Sequence, residues 1–317
     1  MRYFLAVTIC LSVQSAFGQE VVGSGNFSHI VTNLDKSIEF YRDVLGLELT
    51  GGAQPFGAKP EIMQLGNTIG AQNRIAVLKV AGSTLGVELI EYKDIDRKPA
   101  HPRFQDPGAA NLTLRVRDID SVMARVKSSG AKVLTAAGGP VAIGTASRNV
   151  FLQDPDGFVV EVAQPVPAPA AEGNVLGAGF ETTVMDTEQT VKFYRDLLGF
   201  QLRVGDAFNT NKLMTETAGT PGAQFRQSSG QIPGSTVRIT FIEFKDIDRK
   251  PLHTRLQDPG SALLQLRVRD VDALVKTLKA NGAEIISAGG EPVTRGNLRL
   301  AIVRDPNNLF LELISER

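Results

Sequence analysis

The chain has one cysteine, no tryptophan and three histidines in 317 residues, so several kinds of chemistry are missing from the start. The cysteine, Cys10, lies in a segment that reads as a leader. Without that segment no cysteine remains, which excludes disulfides, thiolate nucleophiles and Cys-ligated metals together. Net charge is missing too: 34 basic and 34 acidic side chains cancel, and the pI is near 6.9. Such a chain offers no field to a phosphate backbone or an anionic lipid surface, so a nucleic-acid partner is not expected. The apolar run 3–13 is eleven residues, short of the roughly twenty that span a bilayer, so no stable membrane insertion is expected. A hydrophobic content of 42% argues against disorder.

The leader reading rests on Arg2, the apolar run and the small residues around Ala16-Phe17-Gly18, with cleavage before Gln19. It makes residues 1–18 a signal peptide and the mature protein exported, to a periplasm or beyond. At about 150 residues per domain the remainder has room for two domains, each with its own core.

The chain repeats itself. Phe40-Tyr41-Arg42-Asp43 with Leu45-Gly46 returns as Phe193-Tyr194-Arg195-Asp196 with Leu198-Gly199. The stretch from Asp94 to Gly108 returns from Asp246 to Gly260 with twelve identities in fifteen. Between the copies, Pro165-Val166-Pro167-Ala168-Pro169 reads as an extended spacer. This sets a first domain at 25–164, a Pro/Ala linker at 165–174 and a second domain at 175–315, each expected to fold as a separable unit.

Each copy has its own rhythm. A strand at 27–31 meets a cap at Asn33. Leu34, Ile38, Tyr41 and Leu45 then follow at helical spacing until Gly46 stops the helix. Three strands come next. The order returns with a strand at 112–116, a cap at Asp118, a helix ended by Gly130, and the turn Asp154-Pro155-Asp156-Gly157 before a last strand. The Gly-rich stretch 50–73 is either a mobile lid or a long hairpin connection, and a loop of this length is more often functional or disordered than idle.

Four strand-helix-three-strand modules, with FYRD-x-LG in the first of each pair and DPDG-FVVEV closing the second module, resemble the vicinal oxygen chelate superfamily, which groups glyoxalases, bleomycin-resistance proteins and extradiol dioxygenases. The resemblance implies an α+β fold, a tandem pair of domains each built from two βαβββ modules that curl a mixed sheet into a cup with helices outside. It also implies metal ligands on the first and last strands of each module. Carried over, Glu88 and Glu161 match the last-strand glutamates and are the catalytic candidates. Counting back from the helix caps puts Asn26 and Asn111 at the first-strand positions. His29, three residues beyond Asn26, joins Glu88 and Glu161 as a metal candidate. Its odd offset turns it to the other face of a regular strand, where it would pack under the helix, unless a bulge brings it inward. In the second copy the corresponding positions are Gly179, Thr240, Leu263 and Glu312, with Thr182 in place of His29. The implied cofactor is thus one divalent ion (Mg, Mn, Fe, Zn or Ca) in the first domain and none in the second.

The connector between modules adds Arg97, His101 and Arg103 as a substrate-binding rim with Asn26 and Asn111. Alternatively, its arginines pair locally with aspartates and its prolines fix its path. Two functions compete. One is a small-molecule binder of the bleomycin-resistance kind, metal-free or weakly metal-dependent. The other is a metal-dependent lyase, isomerase or dioxygenase whose site lies in the first domain. Glutathione chemistry is the weakest variant for an exported protein, and the oligomeric state is open, a homo-oligomer included.

Overall fold

The computed structural model describes residues 20–317, so the leader and Cys10 lie outside the described residues. The fold is α+β, and its four modules span 21–93, 110–165, 175–245 and 262–316. Each opens with a strand and a capped helix. Asn33, Asp118, Asp186 and Asp270 each adopt extended backbone and accept hydrogen bonds from N–H groups in the first helical turn. In both copies the FYRD motif is wound as a π-helical turn, Phe40–Val44 and Phe193–Leu197. Gly46 and Gly199 then reverse the chain at φ of 84° and 79°.

The sheets do not follow the sequence repeat. The eight-stranded sheet joins module one to module four through the antiparallel pairing of Val21–Ile30 with Ala262–Val268. The nine-stranded sheet joins module two to module three through Ala110–Val116 and Val175–Val184. Each cup therefore takes half its strands from each copy. The boundaries 25–164 and 175–315 mark the duplication, while both sheets run across it.

The connectors cross in the same sense. The Lys98 N–H donates to Asp258 and the Lys250 N–H to Asp106, so each copy's loop is tied to the other's carboxylate. A large core of side chains from all four modules lies between the sheets and the helices. Two smaller apolar clusters line the concave faces, one around Ile30, Tyr92, Leu256 and Ile302, the other around Phe104, Phe151, Phe225 and Phe244. Over each concave face lies a short helix from the long hairpin connection. Pro60–Leu65 covers the one-four cup and Lys212–Thr217 the two-three cup.

Candidate functional site

Five residues before each cap stands the first-strand side chain that faces a cup: Ser28, Thr113, Glu181 and Gln265. Each lies directly beside a last-strand residue of its own module, in the pairs Ser28/Glu88, Thr113/Glu161, Glu181/Thr240 and Gln265/Glu312. Counting seven residues back, to Asn26, Asn111, Gly179 and Leu263, overshoots by one full strand period. In module one a bulge between Ser24 and Phe27 also displaces the register. Asn26 lies beside Gly86 in an open groove of about 860 Å³ outside the cups. Asn111 is buried on the two-three sheet, directly opposite Glu181.

In the one-four cup, the Gln265 side-chain N–H donates to Glu312 at 2.9 Å and to Glu88 at 3.2 Å. The Ser28 hydroxyl donates to Glu88 at 2.5 Å. The Gln265 amide is held in this orientation because its Oε1 accepts the Asn26 N–H at 2.9 Å. The walls are mostly aliphatic, with Ile62, Leu65, Leu256 and Ile302 beside Tyr92, and enclose about 80 Å³. Asn73, whose buried Nδ2 has no partner, and Arg295 also face this cavity. Burial pushes the Glu88 carboxyl above the usual carboxylate range, with the Ser28 hydrogen bond and Arg295 opposing. Burial and then the neighbouring Glu88 charge push Glu312 up to about 7. Glu312 thus keeps its proton to a higher pH than an ordinary carboxyl, beside a Glu88 whose charged form burial also disfavours.

The two-three cup keeps two carboxylates in a different arrangement. Glu161 accepts from Asn149 at 2.5 Å and from Thr113 at 3.2 Å. Burial, with the charge of Glu161 adding to it, pushes Glu181 up to about 8. The second copy has therefore not simply lost a glutamate at Thr240. Its carboxylate stands one strand over, at Glu181, which sequence counting missed because the count fell on Gly179.

The residues proposed as one metal set are not brought together. Glu88 belongs to the eight-stranded sheet and Glu161 to the nine-stranded one, so each floors a different cup. His29 faces away from both, as its odd offset implies. It is fully buried, with Nε2 3.0 Å from Asp154 and Nδ1 3.4 Å from the Ser261 carbonyl oxygen. Burial disfavours its charged form, but Asp154 outweighs burial and raises its pKa above the ordinary value.

His29, Asp154 and Asp156 do form a cluster whose ligand atoms lie within 4.8 Å of one another. Its oxygens are already engaged. Asp154 accepts from the N–H groups of Asp156 and Phe158 and from the Tyr41 hydroxyl, and Asp156 accepts the Thr32 N–H. The second copy makes the same bonds with Asp305 and Asn307, taking Tyr194 OH and the Met185 N–H, and has no histidine there. The arrangement is a clasp between a turn and a helix that needs no ion.

The rim residues lie on the crossing connectors, beside a groove of about 690 Å³ that both connectors line. Arg103 pairs with Asp106 and Asp248, and Arg255 with Asp258 and Asp96. Arg97 donates to the Val31 carbonyl oxygen. His101 is exposed, at a φ of 46°. None of the three enters a cup.

Paired modules presenting Ser/Glu and Gln/Glu inward define the class, and comparison with known proteins agrees. The chain belongs to the Glyoxalase/Bleomycin resistance protein/Dioxygenase superfamily, whose model matches residues 25–162 and 179–313. It is similar to a 2-epi-5-epi-valiolone epimerase of Actinomyces, 30% identical over 154 residues that cover 46% of this chain and 82% of the epimerase. It is also similar to a lactoylglutathione lyase of Arabidopsis thaliana, 28% identical over 179 residues, 56% of this chain and 55% of the lyase. Among solved structures, glyoxalase I from Zea mays shares the fold at 17% identity, with a TM-score of 0.60 over 92% of each chain. No helix among the described residues is long and apolar enough to cross a membrane.

Proposed function

We propose that the protein acts on a small oxygen-rich molecule in the one-four cup, as an isomerase- or lyase-type enzyme that moves a proton next to a carbonyl. The observation that carries this reading is the half-buried Glu88/Glu312 pair, bridged by Gln265 at the floor of a largely apolar cavity. Two neighbouring carboxyl groups, one of which keeps its proton to a higher pH, supply a base and an acid at the same pH. Glu88, oriented by Ser28, takes a proton from the carbon beside a substrate carbonyl. Glu312 in its protonated form hydrogen-bonds the carbonyl oxygen, and Glu88 then returns the proton. Asn73 stands beside Tyr92 on the cavity wall within reach of a further substrate oxygen, and Arg295 at the cavity edge suits an anionic group.

A divalent ion fits this donor set. Glu88, Glu312 and the Ser28 hydroxyl would hold it, with the Gln265 amide oxygen joining after rotation, and the ion would polarise the substrate oxygens. A second reading, binding without metal, is favoured by one contact: the Asn26 N–H fixes Gln265 with its N–H group, not its oxygen, toward the carboxylates.

The test is exchange of carbon-bound hydrogen in heavy water, followed by NMR over a panel of α-hydroxy ketones, with EDTA and with Mg, Mn or Zn. Exchange should appear and be lost in Glu88→Gln and Glu312→Gln, and should persist in Glu161→Gln. Saturable binding of a panel compound with no exchange under any metal condition would leave the binding reading. We also propose that the protein works outside the cytoplasm after removal of residues 1–18. The mass of the protein from its native host should lack them, and abundant cytoplasmic protein retaining Met1 or Arg2 would refute export.

A further inference from the structure

The two-three cup differs from its counterpart in both walls and floor. At the position of Asn73, opposite Tyr92 in the one-four cup, stands Phe225, opposite Phe244. At the position of Ile302, opposite Glu312, stands Phe151, opposite Glu161. Phe104 takes the place of Leu256 in the repeated connector. Four phenylalanines thus enclose a cavity of about 40 Å³ whose polar floor is Glu161 and Glu181. A single water needs roughly 10–15 Å³ of such volume, so this is room for a ligand head of a few heavy atoms.

Neither carboxylate forms an ion pair among the described residues, and the nearby Arg238 guanidinium is engaged by Ser229 at 2.5 Å. A second, independent sign is Asn111. It is 1% exposed, neither of its amide atoms has a partner, and it stands across the antiparallel pair from Glu181 on the same face. A buried amide left unpaired costs free energy that a bound polar group would recover.

We propose that the two-three cup is a second ligand site, which takes a small organic cation. A small alkylammonium head would sit between Glu161 and Glu181 and donate to the Asn111 amide oxygen, while its one or two carbons face the phenylalanine box. Aromatic faces attract a cation through their quadrupole, and most strongly where water is excluded. A hard divalent ion suits the cup less well. Such ions retain water and need several free oxygens, whereas here both Glu161 oxygens already accept hydrogen bonds and the walls are dry. This assignment goes beyond the chemistry proposed for the one-four cup and does not depend on it.

Calorimetric titration of the full chain tests it with methylammonium chloride, methanol as the neutral counterpart, and MgCl2 or MnCl2 alone. Methylammonium should bind saturably at one site, at least tenfold more tightly than the alcohol. Glu181→Gln should weaken it at least tenfold, and Glu312→Gln in the other cup should leave it unchanged. Phe225→Leu, which keeps the wall apolar, should weaken the ammonium more than the alcohol and covers the case in which the glutamate variant fails to fold. The assignment is overturned by equal binding of the alcohol, by no binding of the ammonium, by indifference to both variants, or by a Mg or Mn site that needs Glu161 and Glu181.

Discussion

The two cups share one plan and differ in what faces inward. In the one-four cup both carboxylates come from last strands, an amide bridges them, and the walls are aliphatic apart from Tyr92. In the two-three cup one carboxylate has moved to a first strand, no amide bridges the pair, and the walls are aromatic. A strand-paired site has two adjacent positions that project into nearly the same space. A carboxylate can therefore cross from one to the other, as between Ser28/Glu88 and Glu181/Thr240, while the floor stays acidic. Conserving the floor and changing the walls is a means of giving one duplicated scaffold two ligand preferences.

The comparison breaks most completely if the copies are separated. Each cup depends on an antiparallel junction between copies, so cutting the chain near Ala170 leaves the strands 21–30 and 110–116 of the first half with one edge unpaired, each keeping only its parallel neighbour. Each half should either lose its cooperative urea transition or associate as a dimer that rebuilds the junctions. A monomeric half with a sharp transition, seen by light scattering and circular dichroism, would show that the modules hold without their partners.

Next in size is the clasp. His29→Ala leaves Asp154 buried without its cation and should cost about 3–5 kcal/mol near pH 6. Because its folded pKa is raised above about 6.5, the His29 contribution is complete below that pH and fades as pH rises through the folded value. In the second copy burial lifts Asp305 to about 6, so its contribution fades earlier, as pH rises from about 4 toward 6. The expected thermal profile is a loss of stability with rising pH whose part above about 6.5 is smaller in His29→Ala than in wild type.

The acidic floors come third. Glu181 at about 8 and Glu312 at about 7 are raised carboxyls, so each is stabilising while protonated and costs stability as pH rises past its unfolded value. Glu181→Gln should therefore raise stability at pH 9 by more than Glu312→Gln does, with about 2 kcal/mol for the latter, and neither should matter at pH 4. Urea midpoints at the two pH values measure this, and a destabilising Glu181→Gln at pH 9 would mean that the site is filled by a bound cation. The smallest effect is expected at Thr182, which replaces His29 and whose buried hydroxyl has no partner. Thr182→Val should stabilise by about 1 kcal/mol, measured by thermal melting, and no gain would indicate a hidden partner for that oxygen.

The sequence determined the modules themselves. Caps at Asn33, Asp118, Asp186 and Asp270, the glycine stops and the Asp-Pro turns act within a few residues, so their physics is local and appears in the chain as spacing. It also determined that Glu88 and Glu161 face concave surfaces, because alternation along a strand fixes the face, and that His29 faces away from them. Only the tertiary structure decided which modules pair, since the contact of Asn26 with Gln265 spans 239 residues and leaves no periodic trace. That pairing divided Glu88 from Glu161 and brought Glu88 to Glu312. The structure also decided the register, because a count two residues too long preserves the face and changes the neighbour, while the bulge at Ser24 to Phe27 shifts the strand by one residue and takes Asn26 out of the cup. Face is a property of one strand, whereas neighbours across a sheet belong to the whole fold.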